Sequence, residues 1–375
     1  MIKYSVILVL LLWLNDLYSK NYSIIYGNNI EYRNRTITIY CFSDYLTKQE
    51  DSLTSFTIDS TGSFRCMIPI NETKEIFMYL GIYKGFLYIE PTKTYELVFP
   101  PKKEKEMADI LNPYFEPEEI SIGIRNANEN ELNYMIAMFN QEYETFIAKR
   151  FYWLYISGNK KVVDSLSFRI DSLFSYTDNS FFITYKNYKM ALLKHFTYQR
   201  DRNMVTREYL LNKPIQYNNP AYMDFFNEVW RNFFTLSYIN EKYGERLQKD
   251  IQIAKSPFSL KNTLHANIAL RNDTLKELVI LRGLLDCLRS PEYPAKSQVY
   301  ITLDSLALLT TIPQHKTIAQ NIGKRKSKLE PGSIAPDFLL PDSDNNKVSL
   351  HSFCQKGFVY LMFCRSENYA CLKRS

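Results

Sequence analysis

The spacing of apolar residues changes once along the chain, and this change constrains the fold more than any other feature of the sequence. Between residues 22 and 100 apolar and polar residues alternate, as in RTITIYCF (Arg35–Phe42) and SFTIDSTGSFRCMIPI (Ser55–Ile70). Alternation with a period of two, interrupted by turn residues such as Thr61-Gly62, predicts short β-strands. Several such strands at close spacing predict a small antiparallel, β-sandwich-like domain over residues 20–101.

The following region, residues 102–328, has a helical pattern. Apolar residues recur there every three to four positions, as in Asn130–Ile156, and this spacing predicts a helical domain. In the stretch Asn272–Ser290, Thr274 and Glu277 match a capping box and predict the start of a helix. The abundance of Tyr (29) and Phe (24) beside 11 Gly favours helices that pack through aromatic side chains.

The N-terminal stretch MIKYSVILVLLLWLNDLYSK predicts an exported protein. Lys3 precedes an unbroken apolar run from Val6 to Leu14, and the small residue Ser19 follows. This run is too short to span a bilayer, which takes about 20 residues. The combination predicts a secretory signal peptide over residues 1–19, and the alternative is a short buried strand. After cleavage we expect a soluble protein without an integral membrane segment.

Charge and motif content argue against several functional classes. The net charge of +6 is small for 375 residues, and Lys and Arg are interleaved with Asp and Glu, so we expect no nucleic-acid partner. The sequence contains no GxxxxGK[ST] loop, no HExxH helix and no G-x-S-x-G turn. Four scattered histidines are expected to be structural or at the surface: His195, His265, His315 and His351. We therefore predict no metal site and no cofactor.

Six cysteines are present, and an exported protein can keep disulfides. Cys41 and Cys66 fall on the apolar faces of their predicted strands, which favours small core residues. A disulfide between these two strands is the alternative. Cys287 lies on a predicted helix and is also expected in the core.

The segment from residue 329 to residue 375 has strand-like patterns in place of the helical spacing that precedes it. DFLLPDSDNNKVSL predicts two short strands around Asn345-Asn346, because Asn tolerates the positive φ that a tight turn needs. GFVYLMF (Gly357–Phe363) is a continuous apolar run of the kind found in buried parallel strands. RSENYACLKRS, which follows, predicts a turn into a helix.

Five features occur in order in this segment: Gly332, Ala335-Pro336-Asp337-Phe338, Val348-Ser349-Leu350, Lys356-Gly357 and the apolar run Val359–Phe363. Together they resemble the opening of a thioredoxin-fold domain of the TlpA-like type, and more loosely of the AhpC/TSA-like type. The resemblance implies the N-terminal portion of a thioredoxin-like α/β domain, truncated in this chain, on an exported bacterial protein of the periplasm or cell envelope. It also implies thiol–disulfide exchange with a protein partner.

The W-C-x-x-C motif of that family identifies candidate site residues. It places Glu367 at the Trp position, Asn368 at the first Cys and Cys371 at the second. In the family, the first Cys is a nucleophile whose pKa is lowered at a helix N-terminus, and the second Cys resolves the mixed disulfide. Asn368 cannot attack a disulfide and suits an N-cap instead, so the site is expected to be redox-inactive. A peroxiredoxin site is disfavoured, because neither Thr nor Pro occupies its place before Cys371.

The predicted fold class is therefore an α+β multidomain chain. It comprises a signal peptide (1–19), a β-sandwich-like domain (20–101), a helical domain (102–328) and the start of a thioredoxin-like domain (329–375). The favoured function is that of an exported thioredoxin-family protein related to thiol–disulfide oxidoreductases but redox-inactive. The alternative is a non-enzymatic cell-envelope binding or interaction protein that uses the β-rich and helical domains. A truncated gene product without a selected function is a third possibility.

Overall fold

The computed structural model describes residues 21–112, 114–198, 201–240, 244–291, 293–324, 335–354 and 357–361. The chain divides into two compact units, Met1–Lys324 and Arg325–Ser375. About 49% of the residues are helical and 19% lie in strands, with sheets first and helices after them, so the predicted α+β class is confirmed. The predicted signal peptide lies outside the described residues.

Nine strands form two sheets in the described part of the first unit. They are β1 (Tyr22–Asn28), β2 (Thr36–Phe42), β3 (Glu50–Thr57), β4 (Ser63–Pro69), β5 (Lys74–Leu80), β6 (Tyr83–Ile89), β7 (Thr94–Val98), β8 (Glu118–Ser121) and β9 (Gly123–Ile124). One sheet has the order β4-β1-β7-β9 and the other β3-β2-β5-β6-β8. Both sheets contribute side chains to one apolar core, as in a sandwich.

The alternating pattern correctly identifies the buried faces of these strands. In β2, for example, Ile37, Ile39 and Cys41 are buried on one face. Most strand pairs are antiparallel, as predicted, but β7 pairs with β1 and β8 pairs with β6 in parallel. Each of these pairs is joined by a long connection, which permits a parallel arrangement that a tight hairpin does not. β8 and β9 also extend the sheets beyond residue 101.

The three cysteines expected in the core are buried there. Cys41, Cys66 and Cys287 are free thiols, so the core prediction is confirmed and the alternative of a disulfide between the first two is wrong. Cys41 lies on β2 and Cys66 on β4, which belong to different sheets. Both therefore act as small apolar side chains that fill the sandwich interior.

Except for the short first helix, which has no buried residue, the helices of the first unit pack around a second apolar core. They are α1 (Met107–Leu111), α2 (Leu132–Phe151), α3 (Lys160–Leu173), α4 (Ser180–Tyr198), α5 (Arg202–Tyr209), α6 (Pro220–Val229), α7 (Phe233–Asn240), α8 (Gly244–Lys249), α9 (Pro257–Leu264), α10 (Asp273–Arg289), α11 (Lys296–Leu309) and α12 (Pro313–Lys324). π-Helical turns follow α2 (Tyr152–Ile156) and α8 (Asp250–Ala254).

Helix α10 is the central helix of this core, since every residue from Leu275 to Cys287 is buried. Its predicted capping box is wrong. The N-cap is Asn272, whose side chain accepts a hydrogen bond from the backbone N–H of Leu275 at 2.9 Å. Glu277 does not cap the helix; its carboxylate pairs with His315 inside the helical core.

The loop between β2 and β3 joins the sandwich to the helices. Tyr45 and Leu46 in this loop belong to the helical core. The carboxylate of Asp44 accepts hydrogen bonds from its own loop and from Nδ2 of Asn321 on α12 at 2.8 Å. The amide of Asn227 on α6 donates to the carbonyl of Tyr45 at 3.0 Å. The sandwich and the helices are therefore fastened together by polar as well as apolar contacts.

The second unit contains the predicted hairpin. Strands β10 (Leu339–Pro341) and β11 (Lys347–Ser349) pair antiparallel, and α13 (His351–Cys354) follows. Asn345 has φ 65°, so the expected left-handed turn residue is confirmed. The strand predicted over Gly357–Phe363 is not formed in its described part, residues 357–361, where the chain pairs with no strand. An apolar run needs a neighbouring strand to satisfy its backbone groups, and none of the described strands supplies one.

Candidate functional site

A cleft of about 990 Å³ lies within the first unit, where the sandwich meets the helices. Its sandwich wall consists of Phe42–Tyr45 after β2 and of Pro69–Lys74 after β4. Its helical wall consists of the first turns of α4 and α12 together with Ile215–Asn219, just before α6. A cavity of this size matches ligand-binding pockets, which measure about 300–1,000 Å³.

Neutral hydrogen-bonding groups dominate the polar lining of the cleft. They are Ser43, Asn71, Thr73, Ser180, Thr184, Gln216, Tyr217, Asn218, Gln314 and Thr317. Of the charged groups at its wall, Asp44 accepts hydrogen bonds from its loop and from Asn321, Glu72 accepts from Asn218, and Lys74 is half-buried. Phe42 and Phe181 add aromatic surface. Most of the lining therefore consists of neutral polar groups and aromatic rings, with Lys74 as a cation.

Tyr217 in the cleft wall is backed by a buried chain of hydrogen bonds. Its hydroxyl lies 2.7 Å from Nε2 of His315, which is fully buried on α12. Nδ1 of the same ring lies 2.8 Å from Oε1 of Glu277 on α10. Lys261 and Thr310 also donate to the Glu277 carboxylate. The cleft is thus linked to a charged group in the centre of the helical core.

The charge of Glu277 determines the direction of its own hydrogen bonds. Burial alone would raise the pKa of Glu277, but hydrogen bonds from His315, Lys261 and Thr310 outweigh it and lower the pKa to about 2. An ionised carboxylate can only accept, so Nδ1 of His315 is the donor. Nε2 of the same ring pairs with the hydroxyl of Tyr217.

Tyr217 is a hydrogen-bonding group of the cleft wall. Burial, and then the negative charge of Glu277, raise the pKa of Tyr217, so its phenol is a poor nucleophile at neutral pH. In the described residues, no group of three or more His, Cys, Asp and Glu side chains could hold a metal ion. The residues that line the cleft can orient a ligand, and Tyr217 among them is held in place by His315.

A second buried carboxylate, Glu75, has a structural role. It accepts hydrogen bonds from the hydroxyls of Tyr88 at 2.7 Å and of Tyr45 at 3.2 Å. Burial raises the pKa of Glu75, although both tyrosines act in the opposite direction. Its partners lie on β6 and on the loop that enters the helical core. Glu75 therefore holds this loop against the sheet.

The candidate residues predicted from the family resemblance, Asn368 and Cys371, lie outside the described residues. The sequence pattern does not identify this site. It predicts a structural or surface role for His315 and a helix cap for Glu277, and neither prediction brings the two residues together with Tyr217. The sequence gives no distinctive signal for Glu277, because the same helix also carries Lys276, Arg282 and Asp286.

Among the residues that the structure describes, none of the helices combines the length and the apolar character needed to cross a bilayer. Comparison of the chain with protein-family models, with curated proteins and with solved structures finds no match. Its function therefore has to be inferred from the chemistry of the cleft and of the C-terminal segment.

Proposed function

We propose that this chain is an exported, non-enzymatic binding protein of the bacterial cell envelope, and that the cleft is its ligand site. The observation that carries this proposal is the position of Tyr217 in the cleft wall, held by His315 and Glu277. A buried charged network costs free energy unless all its members are satisfied. Here Tyr217 is the member of the network that lines the cleft.

The ligand is a small neutral molecule with several hydroxyl or amide groups. At least one of these groups forms a hydrogen bond with Tyr217. Gln216, Asn218 and Gln314 can each donate and accept, so they accommodate a ligand that presents both kinds of group. Phe181 offers an aromatic surface for the apolar face of such a molecule.

Titration calorimetry against neutral oligosaccharides and against neutral tripeptides tests this function and separates the two ligand sources. Gln314 and Gln320 are both exposed on α12, but only Gln314 lines the cleft. We expect Gln314→Trp to abolish binding of the active probe and Gln320→Trp to leave it unchanged. Tyr217→Phe is expected to weaken binding about tenfold, which is the loss of one hydrogen bond. Unchanged binding to Gln314→Trp would place the ligand elsewhere.

The second unit supports a second proposal, that the chain is a thioredoxin-family protein of the TlpA-like type with an inactive redox site. Its hairpin and positive-φ turn residue occur where that resemblance requires them. Asp337 of the Ala335–Phe338 motif accepts hydrogen bonds from Ser349 and from the backbone N–H of His351. In this proposal Asn368 occupies the nucleophile position and Cys371 the resolving position.

An insulin-reduction assay tests the second proposal. We expect no turnover above the uncatalysed rate for the natural chain or for Cys371→Ser. Turnover by the natural chain that depends on Cys371 would refute the inactivity.

A further inference from the structure

The end of α2 exposes an unusual number of large apolar side chains. The helix runs into a π-helical turn, and we call Phe151–Ile156 the aromatic turn. The exposed fractions are 56% for Phe151, 60% for Tyr152, 47% for Trp153 and 66% for Ile156. Contiguous exposed apolar side chains of this size mark interaction sites in folded proteins.

The aromatic turn is held in place by the fold, so its exposure does not result from poor packing. Leu154, in its middle, is fully buried in the helical core. The backbone N–H of Ser157 donates to the carbonyl of Tyr152 at 3.0 Å, and that of Asn159 donates to the carbonyl of Trp153 at 2.8 Å. π-Helical turns occur frequently at functional sites. The fold therefore directs these rings outward.

Positive charges flank the aromatic turn on both sides. Lys149 and Arg150 precede it and Lys160 and Lys161 follow it, and the next acidic residues along the chain are Glu144 and Asp164. All four cations are exposed. Among the described residues none of the four forms a salt bridge, and Lys160 lies over the ring of Tyr198, whose hydroxyl donates to Asp164. The patch therefore combines exposed aromatic rings with a local excess of positive charge.

We propose that the aromatic turn docks the protein onto an anionic lipid surface. Trp and Tyr rings partition to the headgroup level of a bilayer, and flanking Lys and Arg bind anionic headgroups. A protein partner fits this surface less well, because a stable interface takes about 20–30 residues a side. One turn with four cations is sufficient for reversible attachment to lipid. The proposed ligand cleft has no part in this inference.

Tryptophan fluorescence can follow the docking directly. The sequence has three tryptophans, and the protein without its predicted signal peptide, which contains Trp13, keeps the half-exposed Trp153 and the fully buried Trp230. We expect vesicles of phosphatidylglycerol and phosphatidylethanolamine to shift the emission to shorter wavelength and to co-sediment with the protein. Phosphatidylcholine vesicles are expected to do neither. Added salt should weaken binding, because it screens the attraction between exposed charges and lipid.

Paired charge variants provide the decisive comparison. The double variant Lys160→Gln, Lys161→Gln is expected to bind anionic vesicles about thirtyfold more weakly, since each cation near the surface contributes about 1 kcal/mol. The control Lys93→Gln, Lys103→Gln removes two exposed lysines of the β-rich region and should bind normally. Equal losses in both variants, or equal binding to neutral vesicles, would overturn the proposal. So would a dimer that Trp153→Ser dissociates, in the absence of vesicle binding.

Discussion

Replacing Glu277 with glutamine measures how much its charge contributes to folding. The change removes the charge and preserves the size of a side chain that is only 4% exposed. The pKa of Glu277 is about 2 in the folded chain, compared with 4.5 for an unperturbed glutamate. One pKa unit corresponds to 1.36 kcal/mol, so the ionised form stabilises the fold by about 3 kcal/mol.

The pH dependence of this contribution has a definite sign. Because folding lowers the pKa, the contribution is fully present above pH 4.5 and is lost as the pH falls towards 2. We therefore expect Glu277→Gln to reduce the free energy of unfolding by about 3 kcal/mol at neutral pH. The difference between the natural chain and the variant should shrink steadily below pH 4.5.

Urea unfolding followed by circular dichroism at a series of pH values provides the measurement. Glu116→Gln serves as the control, since Glu116 is exposed and makes no contact described above. We expect this control to change stability by less than about 0.5 kcal/mol. A difference for Glu277→Gln that stays constant with pH, or that is below about 1 kcal/mol at neutral pH, would refute the electrostatic reasoning.

Three further predictions concern the cores and the junction between them. Asp44→Ala removes the carboxylate that joins the β2–β3 loop to α12, and urea unfolding should show a loss of about 2–4 kcal/mol. Gly283→Ala forces a methyl group into the ring of Phe234, and we expect it to lower the free energy of unfolding by about 1–3 kcal/mol. Gly323 has open space around it, so Gly323→Ala should leave the melting temperature unchanged or higher. Burial raises the pKa of Cys287 to about 12, so peptide mapping should find it unlabelled by iodoacetamide in the native protein and labelled in denaturant.

Features that depend on neighbouring residues could be predicted from the sequence. The buried face of β2 follows from side-chain alternation, and the burial of Cys41 follows with it. The turn at Asn345 follows from the tolerance of Asn for positive φ. In each case the responsible interactions lie within a few residues along the chain.

Features that depend on distant partners could not be predicted. β1 pairs with β7 in parallel. The alternation of apolar residues within a strand does not indicate which other strand will be its neighbour. Glu277 and His315 are 38 residues apart, and His315 and Tyr217 are 98 apart. The spacing of Thr274 and Glu277 fitted a capping box, but Asn272 caps the helix and leaves Glu277 to the core.

The contact between Asp44 and Asn321 has a consequence for synthesis of the chain on the ribosome. The two residues are 277 positions apart, so at about 5–20 residues per second the amide emerges roughly 14–55 s after the carboxylate. In the meantime the N–H groups of Leu46 and Thr47 can satisfy Asp44 within the nascent loop. The side chains of Tyr45 and Leu46, in contrast, belong to the helical core, and residues of the nascent loop cannot replace that core. They are synthesised early, and they stay open to chaperones until the helices that cover them emerge.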